Sequence, residues 1–301
     1  RDKVAFCGYH GWHDWYLSAN LSSIDQLNNH LLPGLEPNGV PKCLAGTAIP
    51  FEFNNLLEIS KIAENNELAA IKLEVQRTEE PNPNFIQGIR DICNQKGIVL
   101  IFDECTSGFR ETFGGIHLKF PVEPDIAMFG KALGNGYAVT AVIGRREVME
   151  AAQSTFISST FWTERIGSTA ALATLDVMEK ESSWKKITSM GSYLRDGWQT
   201  LASKYGLSIE HFCIPSLAGY KFKSPNSKAY KTFISQEMLK QGYLASTSCY
   251  LCTEHTETII DQYLEYLEPV FKIIRSCEDG DADIFELLKY PLCHDKFGRL
   301  N

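Results

Sequence analysis

A carboxylate at the end of an apolar run and a lysine in a glycine-rich loop are the residues of this sequence best suited to chemistry. Asp103 follows the five apolar residues 98–102, and Lys131 lies between Gly130 and Gly134. A lysine amine can form a Schiff base with an aldehyde, and a carboxylate can pair with a protonated ring nitrogen. Asp103 and Lys131 could therefore hold a heteroaromatic aldehyde as a cofactor, provided that the fold brings them together.

The apolar run before Asp103 predicts a strand that is covered on both faces. Such strands are typical of parallel sheets in α/β domains, whose ligands bind beyond the carboxyl ends of the strands. Further strands are predicted at residues 4–7, 69–75 and 126–129, with amphipathic helices at residues 54–65 and 85–96. Because right-handed crossovers join such units, we expect a mainly parallel sheet whose carboxyl edge carries Asp103.

Three motifs around these residues are specific to one family. They read DECTSGFR at residues 103–110, PDIAMFGK at residues 124–131 and STFWTER at residues 159–165. With these motifs the sequence resembles class III aminotransferases of the fold-type I pyridoxal phosphate (PLP) superfamily, and among them the glutamate-1-semialdehyde aminomutase branch. The resemblance implies an α/β fold in which a large domain has a mainly parallel sheet and a smaller C-terminal domain is α+β.

The sequence divides into two predicted domains. We expect a large PLP-binding domain over residues 1–178, followed over residues 179–301 by an interdomain helix and the small domain. The apolar pattern is helical almost without interruption from residue 166 to residue 205, which predicts one long helix. The chain starts without methionine and inside a predicted strand, so we expect that it lacks an N-terminal segment with the turn that cradles the cofactor phosphate.

The resemblance also implies roles in cofactor binding. Lys131 would form the Schiff base with PLP and later move a proton between the substrate Cα and the cofactor. Asp103 would pair with the ring nitrogen and keep it protonated. By the same resemblance Tyr9 would stack on the cofactor ring, Cys105 would pack against the ring face, and Thr160 would contact the phosphate. His10 ends the first predicted strand together with Tyr9, on the same sheet edge, and is a further candidate for binding the cofactor.

Thr160 matches the threonine with which the neighbouring subunit contacts the cofactor phosphate in this family, which implies a homodimer with a shared active site. Relatives hold a substrate carboxylate with arginine, whose planar guanidinium suits that task. Arg77, Arg110 and Arg165 are the candidates, and their spacing does not rank them. The resulting hypothesis is a PLP-dependent aminotransferase or aminomutase that acts on a small amino or keto compound by ping-pong Schiff-base chemistry.

Other interpretations of the same motifs stay open. A non-catalytic protein with this fold, or an inactive fragment, would share them. A strand that ends in Asp103 and Glu104 also resembles the Walker B strand of a P-loop ATPase, although residues 1–96 lack the required G-x-x-x-x-G-K-[ST] motif. A metal site at residues 10–14 (HGWHD) is not expected, because this run lacks the i, i+4 histidine spacing of zinc enzymes.

The composition bears on partners and location. The chain has 301 residues and a net charge of −8, which disfavours nucleic acid and anionic membranes as partners. No apolar run approaches the roughly 20 residues that cross a bilayer. The nine cysteines are scattered through apolar segments, a pattern typical of reduced thiols. We therefore expect a cytoplasmic enzyme whose partners are a small amino donor, a small acceptor and a second copy of itself.

Overall fold

The computed structural model describes residues 1–30, 33–76 and 78–294. Contacts between residues divide this part of the chain into two units, Arg1–Lys180 and Glu181–His294. The assignment of the two units to a large and a small domain stays a prediction.

Within the described residues, a six-stranded sheet forms the centre of the first unit. Its strands are β1 (Lys3–Cys7), β2 (Ala48–Pro50), β3 (Leu68–Leu73), β4 (Val99–Asp103), β5 (Ile126–Phe129) and β6 (Ala141–Gly144). They lie in the order β2-β1-β3-β4-β5-β6, and all neighbours are parallel except β5 and β6, which are antiparallel. The prediction of an α/β fold with a mainly parallel sheet is confirmed.

Helices and short turns connect these strands, since parallel neighbours need a crossover. The α-helices of the first unit are α1 (Asp14–Leu17), α2 (Leu56–Asn65), α3 (Phe85–Lys96), α4 (Arg146–Met149) and α5 (Ile166–Glu181). Its 3₁₀ turns lie at Ser18–Leu21, Lys42–Leu44, Ile116–Lys119, Lys131–Leu133, Glu150–Ser154 and Thr160–Thr163. Helix α3 ends at Lys96 and is capped by Gly97, whose φ of 59° suits a residue without a side chain.

The register of the central strands brings functional side chains to one face of the sheet. Lys72 of β3 is paired with Phe6 of β1 on one side and with Ile101 of β4 on the other. Asp103 lies two residues after Ile101. Because side chains alternate between the two faces along a strand, Lys72 and Asp103 project from the same face.

The helix predicted over residues 166–205 is two helices, so that prediction is wrong. Helix α5 ends at Glu181, and α6 (Ser183–Lys204) begins two residues later. Ser182 between them has φ 49° and ψ 44°, a left-handed conformation that a right-handed helix cannot contain.

The second unit combines helices with a two-stranded antiparallel sheet. It contains α6, the strands β7 (Ile209–Phe212) and β8 (Gly219–Phe222), the 3₁₀ turn Pro215–Leu217, and the helices α7 (Ser227–Lys240), α8 (Glu257–Asp279) and α9 (Ile284–Leu287). Trp198, Tyr220 and Phe271 are among the large side chains of its core. The mixture of helices with an antiparallel sheet is the α+β architecture that was predicted for the C-terminal part.

Candidate active site

Asp103 is the centre of a buried cluster of titratable side chains. Its carboxylate oxygen Oδ2 lies 2.9 Å from Nδ1 of His10 and 3.1 Å from Nζ of Lys72. Its other oxygen, Oδ1, accepts a hydrogen bond of 3.2 Å from the backbone N–H of Cys105. Asp103 and His10 are each 6% exposed and Lys72 is 8% exposed. Charges in such a place are screened far less than they would be in water.

The contacts of Asp103 keep its carboxyl group ionised. Burial by itself raises the pKa of this carboxyl, but the hydrogen bond with His10 and the charge of Lys72 outweigh burial and hold the pKa well below its usual range. Burial lowers the pKa of His10, and Lys72 adds to that effect, while the hydrogen bond with Asp103 opposes both. The second ring nitrogen of His10, Nε2, lies 3.0 Å from the carbonyl oxygen of Cys7. Both ring nitrogens therefore face oxygen acceptors.

Lys131 reaches the loop that follows Asp103. Its Nζ donates a hydrogen bond of 2.6 Å to Oγ1 of Thr106. The residue opens the 3₁₀ turn after β5, and its φ of 43° lies in the left-handed region. Gly130, just before it, lies against Cys105, since a Cβ at Gly130 would be 3.5 Å from the Cys105 Sγ.

Cys105 lies in the electrostatic field of Asp103 and of both lysines. Burial, followed by the charge of Asp103, raises the pKa of its thiol to about 11, although Lys131 and Lys72 lower it. The thiol is therefore protonated at neutral pH and serves as a packing surface. Cys105 lies between Asp103 and the turn that carries Lys131. Its backbone N–H donates to Asp103, and its sulfur lies beside Gly130, the residue before Lys131.

Glu104 holds the loop between Asp103 and the 3₁₀ turn Ile116–Lys119. Its carboxylate is completely buried and accepts hydrogen bonds from Oγ of Ser107 at 2.5 Å and from the backbone N–H groups of Ile116 at 3.0 Å and His117 at 2.9 Å. Nδ1 of His117 lies 2.9 Å from the same carboxylate. One buried side chain thus fixes the conformation of the loop that carries Cys105.

Tyr9 lies two residues beyond the end of β1 and is held by Glu74. Its backbone N–H donates a hydrogen bond of 3.1 Å to Oε2 of Glu74, and its ring packs at a tilt against Trp12, with 5.3 Å between the ring centroids. Gly8 makes room for this contact, since its φ is 104° and a Cβ there would lie 2.7 Å from Oε2 of Glu74. The glutamate thus orients the start of the loop that carries Tyr9 and His10.

The remaining predicted residues lie in three different situations. Thr160 opens the exposed 3₁₀ turn Thr160–Thr163. Arg110 donates a hydrogen bond of 2.7 Å from Nε to the carbonyl oxygen of Thr106, and Arg165 is exposed. Arg77 lies outside the described residues.

The hydrogen bonds around Asp103 and Lys131 include two residues that the sequence did not single out. Lys72 and Thr106 contact the carboxylate and the lysine amine respectively. A signal for Lys72 was available, because a single lysine in the apolar run LAAIKL has a charge that needs a partner. Thr106 has no such signal, because a threonine in a loop is common.

Comparison with known proteins identifies the family. The model of the family "Aminotransferase class-III" matches residues 8–241. The chain belongs to the class III aminotransferases. This membership excludes the P-loop ATPase interpretation of β4. Within the described residues no group of three metal-ligating side chains is placed to hold a metal ion, and no helix combines the length and apolar content that crossing a membrane requires.

The class III relatives include enzymes with different substrates. A 3-aminobutyryl-CoA aminotransferase of Cloacimonas acidaminovorans is 29% identical over 277 residues, which cover 85% of this chain and 61% of the relative. A glutamate-1-semialdehyde 2,1-aminomutase of Gemmatimonas aurantiaca is 34% identical over 222 residues, which cover 71% of this chain and 50% of the relative. The chain thus spans about half to three fifths of the length of these relatives.

Solved structures of transaminases and of a protein named FumI share the fold. The FumI protein of Sphingopyxis sp. MTA144, in its PLP internal aldimine form, has a TM-score of 0.80 at 19% identity, with 96% of this chain and 68% of that chain covered. An omega-transaminase from Sphaerobacter thermophilus has a TM-score of 0.76 at 21% identity, with 90% and 68% covered. The likeness shows that the chain has the fold of PLP fold-type I enzymes.

Proposed function

We propose that the protein is a PLP-dependent aminotransferase or aminomutase that acts on a small amino or keto compound. The observation that carries this proposal is the buried carboxylate of Asp103, which stays ionised at the end of a central strand. Its Oδ1 accepts a hydrogen bond from the backbone N–H of Cys105, and a carboxylate oxygen can accept a further one. Such an oxygen fits the protonated ring nitrogen of PLP, so the residues of this site fit the cofactor.

The residues around Asp103 have distinct tasks in this mechanism. When bound, PLP accepts the electron pair that remains on the substrate Cα after its proton is removed. Asp103 holds the ring nitrogen protonated, and His10 orients the carboxylate through the contact of 2.9 Å. Lys131 would hold the aldehyde carbon of the cofactor through its amine, and the same amine would move a proton at the substrate Cα.

Two further residues shape the space for the cofactor ring. The aromatic side chain of Tyr9 provides a platform that restrains the cofactor ring and excludes water. Cys105 packs against the ring face with a thiol that burial keeps protonated. The backbone N–H of Tyr9 is held by Glu74 and that of Cys105 by Asp103, so the backbone that carries each side chain is fixed.

The shared active site of a homodimer is part of the proposal. Thr160 supplies a hydroxyl to the cofactor phosphate of the partner subunit. Its surroundings suit an interface, because the large apolar side chains near it in sequence are exposed, among them Phe156, which is 98% exposed, with Phe161 and Trp162. Exposed apolar side chains grouped in this way are typical of a surface that another protein covers.

The substrate is proposed only as a class. Curated relatives act on 3-aminobutyryl-CoA and on glutamate-1-semialdehyde, and both names describe amino compounds with a carbonyl group. Arg110 and Arg165 stay candidates for binding a substrate carboxylate. A cytoplasmic location is proposed because the nine cysteines are scattered through apolar segments, a pattern typical of reduced thiols, which persist in a reducing compartment.

A half-reaction tests the proposed function. The full-length protein is loaded with PLP and mixed with single amino donors in the absence of an acceptor, and the absorbance of the bound cofactor is followed. Transfer of the amino group changes the absorbance, and a keto acceptor then restores it. The Lys131→Ala variant serves as the control, and we expect it to slow the change about 100- to 10,000-fold, because the group that moves the Cα proton is missing.

A protein that binds PLP but shows no absorbance change with any donor would be the non-catalytic alternative. A protein that binds no PLP would contradict the proposal altogether.

A further inference from the structure

Lys72 is a charged side chain in an apolar strand. It occupies the fifth position of β3, and its side chain is only 10% exposed. A buried ammonium group is costly unless an opposite charge lies close to it. The structure provides that charge, since Nζ lies 3.1 Å from Oδ2 of Asp103.

The sheet itself fixes this ion pair. Lys72 is paired with Phe6 of β1 and Ile101 of β4, so its backbone is enclosed on both sides by neighbouring strands. The ammonium cannot move away from Asp103 without losing its ionic partner in a poorly solvated place. The pair is therefore part of the folded sheet and not a surface contact.

Two cations share one carboxylate when the cofactor is bound. Asp103 carries a single negative charge, and Lys72 already neutralises part of it. A second cation on the same carboxylate is held less firmly, because the ammonium repels it and the remaining attraction is weaker. We propose that Lys72 tunes the cofactor by weakening the hold of Asp103 on the proton of the ring nitrogen. This inference rests on the proposed function, in which Asp103 pairs with that nitrogen.

Lys72 is thus a positioning residue that acts through Asp103. With Lys72 present, the ring nitrogen is protonated in a smaller fraction of molecules, and the ring withdraws electrons less strongly. The chain sets the strength of the electron acceptor with a lysine of its own sheet, rather than leaving it to Asp103 alone.

Other titratable groups face the same carboxylate or act on its neighbours. His10 donates from the end of β1, Cys105 follows β4, and Lys131 acts on Cys105 from the turn after β5. Glu74, beyond the end of β3, acts on His10 through its charge. His10 matters most for a test, because both of its ring nitrogens face oxygen acceptors and it can take up a proton when the charge of Lys72 is removed.

The protonation state of the ring nitrogen is measured directly. The holoenzyme is prepared with PLP that carries a nitrogen-15 label in its ring, and the chemical shift of that nitrogen is recorded by NMR over a pH series. We expect the neutral variants Lys72→Met and Lys72→Gln to raise the proton affinity of the nitrogen about tenfold or more. Two variants are used in case Lys72→Met folds poorly. Lys72→Gln also removes the charge but keeps a hydrogen-bond donor.

Three controls separate charge from other effects. Lys72→Arg keeps the cation and should retain the proton affinity of the unmodified protein. Lys3→Met removes a lysine from the exposed start of β1, which contacts Asn66, and should change nothing. Both neutral substitutions at Lys72 are repeated in a His10→Gln background, where a histidine can no longer replace the lost charge.

A rise in proton affinity in either background supports the inference. The inference is overturned if the ring nitrogen has the same proton affinity in the protein with Lys72 and in its neutral variants, in both backgrounds. The proposed function is judged separately by mass spectrometry of the same samples. Bound PLP with an unchanged nitrogen shift contradicts only the role of Lys72, whereas no bound PLP contradicts the proposed function.

Discussion

Nδ1 of His10 lies 2.9 Å from Oδ2 of Asp103, although His10 follows β1, Asp103 ends β4, and these two strands are not neighbours in the sheet. Strand β3 lies between them, and its Lys72 reaches the same carboxylate oxygen. Three adjacent strands thus supply one carboxylate and its two side-chain partners. The site is assembled by the parallel sheet itself, so substitutions in it should affect both stability and chemistry.

Asp103→Asn should lower the stability of the fold as well as the rate. The substitution leaves Lys72 as a buried cation without its ionic partner, and losing one member of a buried pair costs about 3–5 kcal/mol. Urea unfolding of the apoprotein measures this loss. Lys3→Met is a suitable control, because it also removes one charge from the sheet but at an exposed position, and we expect a change within about 0.5 kcal/mol.

The stability that Asp103 provides should depend on pH in one direction. The pKa of its carboxyl is lower in the folded protein than its ordinary value of about 4, so ionisation favours the folded state above that pH. The difference in unfolding free energy between the unmodified protein and Asp103→Asn should stay constant above about pH 5 and shrink as the pH falls below about 4. A difference that grows on acidification would contradict the ion pair.

Glu104→Ala should destabilise the loop after Asp103. The carboxylate accepts hydrogen bonds from Ser107, Ile116 and His117, and each buried donor left without a partner costs about 1–3 kcal/mol. We expect a total loss of about 3 kcal/mol or more in urea unfolding. Glu123→Ala is the control, since that side chain is 87% exposed, and it should cost less than about 0.5 kcal/mol. Equal losses of unfolding free energy in the two variants would contradict the role of Glu104 in holding the loop after Asp103.

Thr160→Val should weaken the binding of PLP without unfolding the protein. Valine has the shape of threonine but lacks the hydroxyl that we assign to the phosphate of the partner subunit, and a hydrogen bond to a charged group is worth about 1.5–3 kcal/mol. Equilibrium dialysis should show a dissociation constant at least about tenfold higher. Thr163→Val, on the same exposed turn, is the matched control and should bind PLP as the unmodified protein does. A monomer in sedimentation that retains full affinity would contradict the shared site.

The parts of the fold that the sequence predicts well are those with local signals. Helix Phe85–Lys96 and strand Ile126–Phe129 have the predicted bounds, because Gly97 stops the helix and turn residues flank the strand. The meeting of Asp103 with His10 follows from strand order, since carboxyl ends of parallel strands share one edge.

Features that depend on distant partners were not predicted. A lysine such as Lys72 is ordinarily exposed, and only the neighbouring strand shows that its charge is neutralised. The break at Ser182 depends on a left-handed backbone that serine rarely adopts, so the helical pattern on both sides gave no sign of it. The role of Glu74 is also visible only in the structure, because it binds the backbone of Tyr9 and not a side chain.

We assign the binding of the cofactor to Lys131. Lys131 and Lys72 both act on Cys105, but Nζ of Lys72 lies 3.1 Å from the carboxylate of Asp103, whereas Nζ of Lys131 donates to the hydroxyl of Thr106. The most direct test is to reduce the PLP-loaded protein with borohydride, digest it and locate the modified lysine by mass spectrometry. We predict PLP on Lys131 in the unmodified protein and none in Lys131→Ala. PLP on Lys72, on any other lysine, or on none would contradict this account.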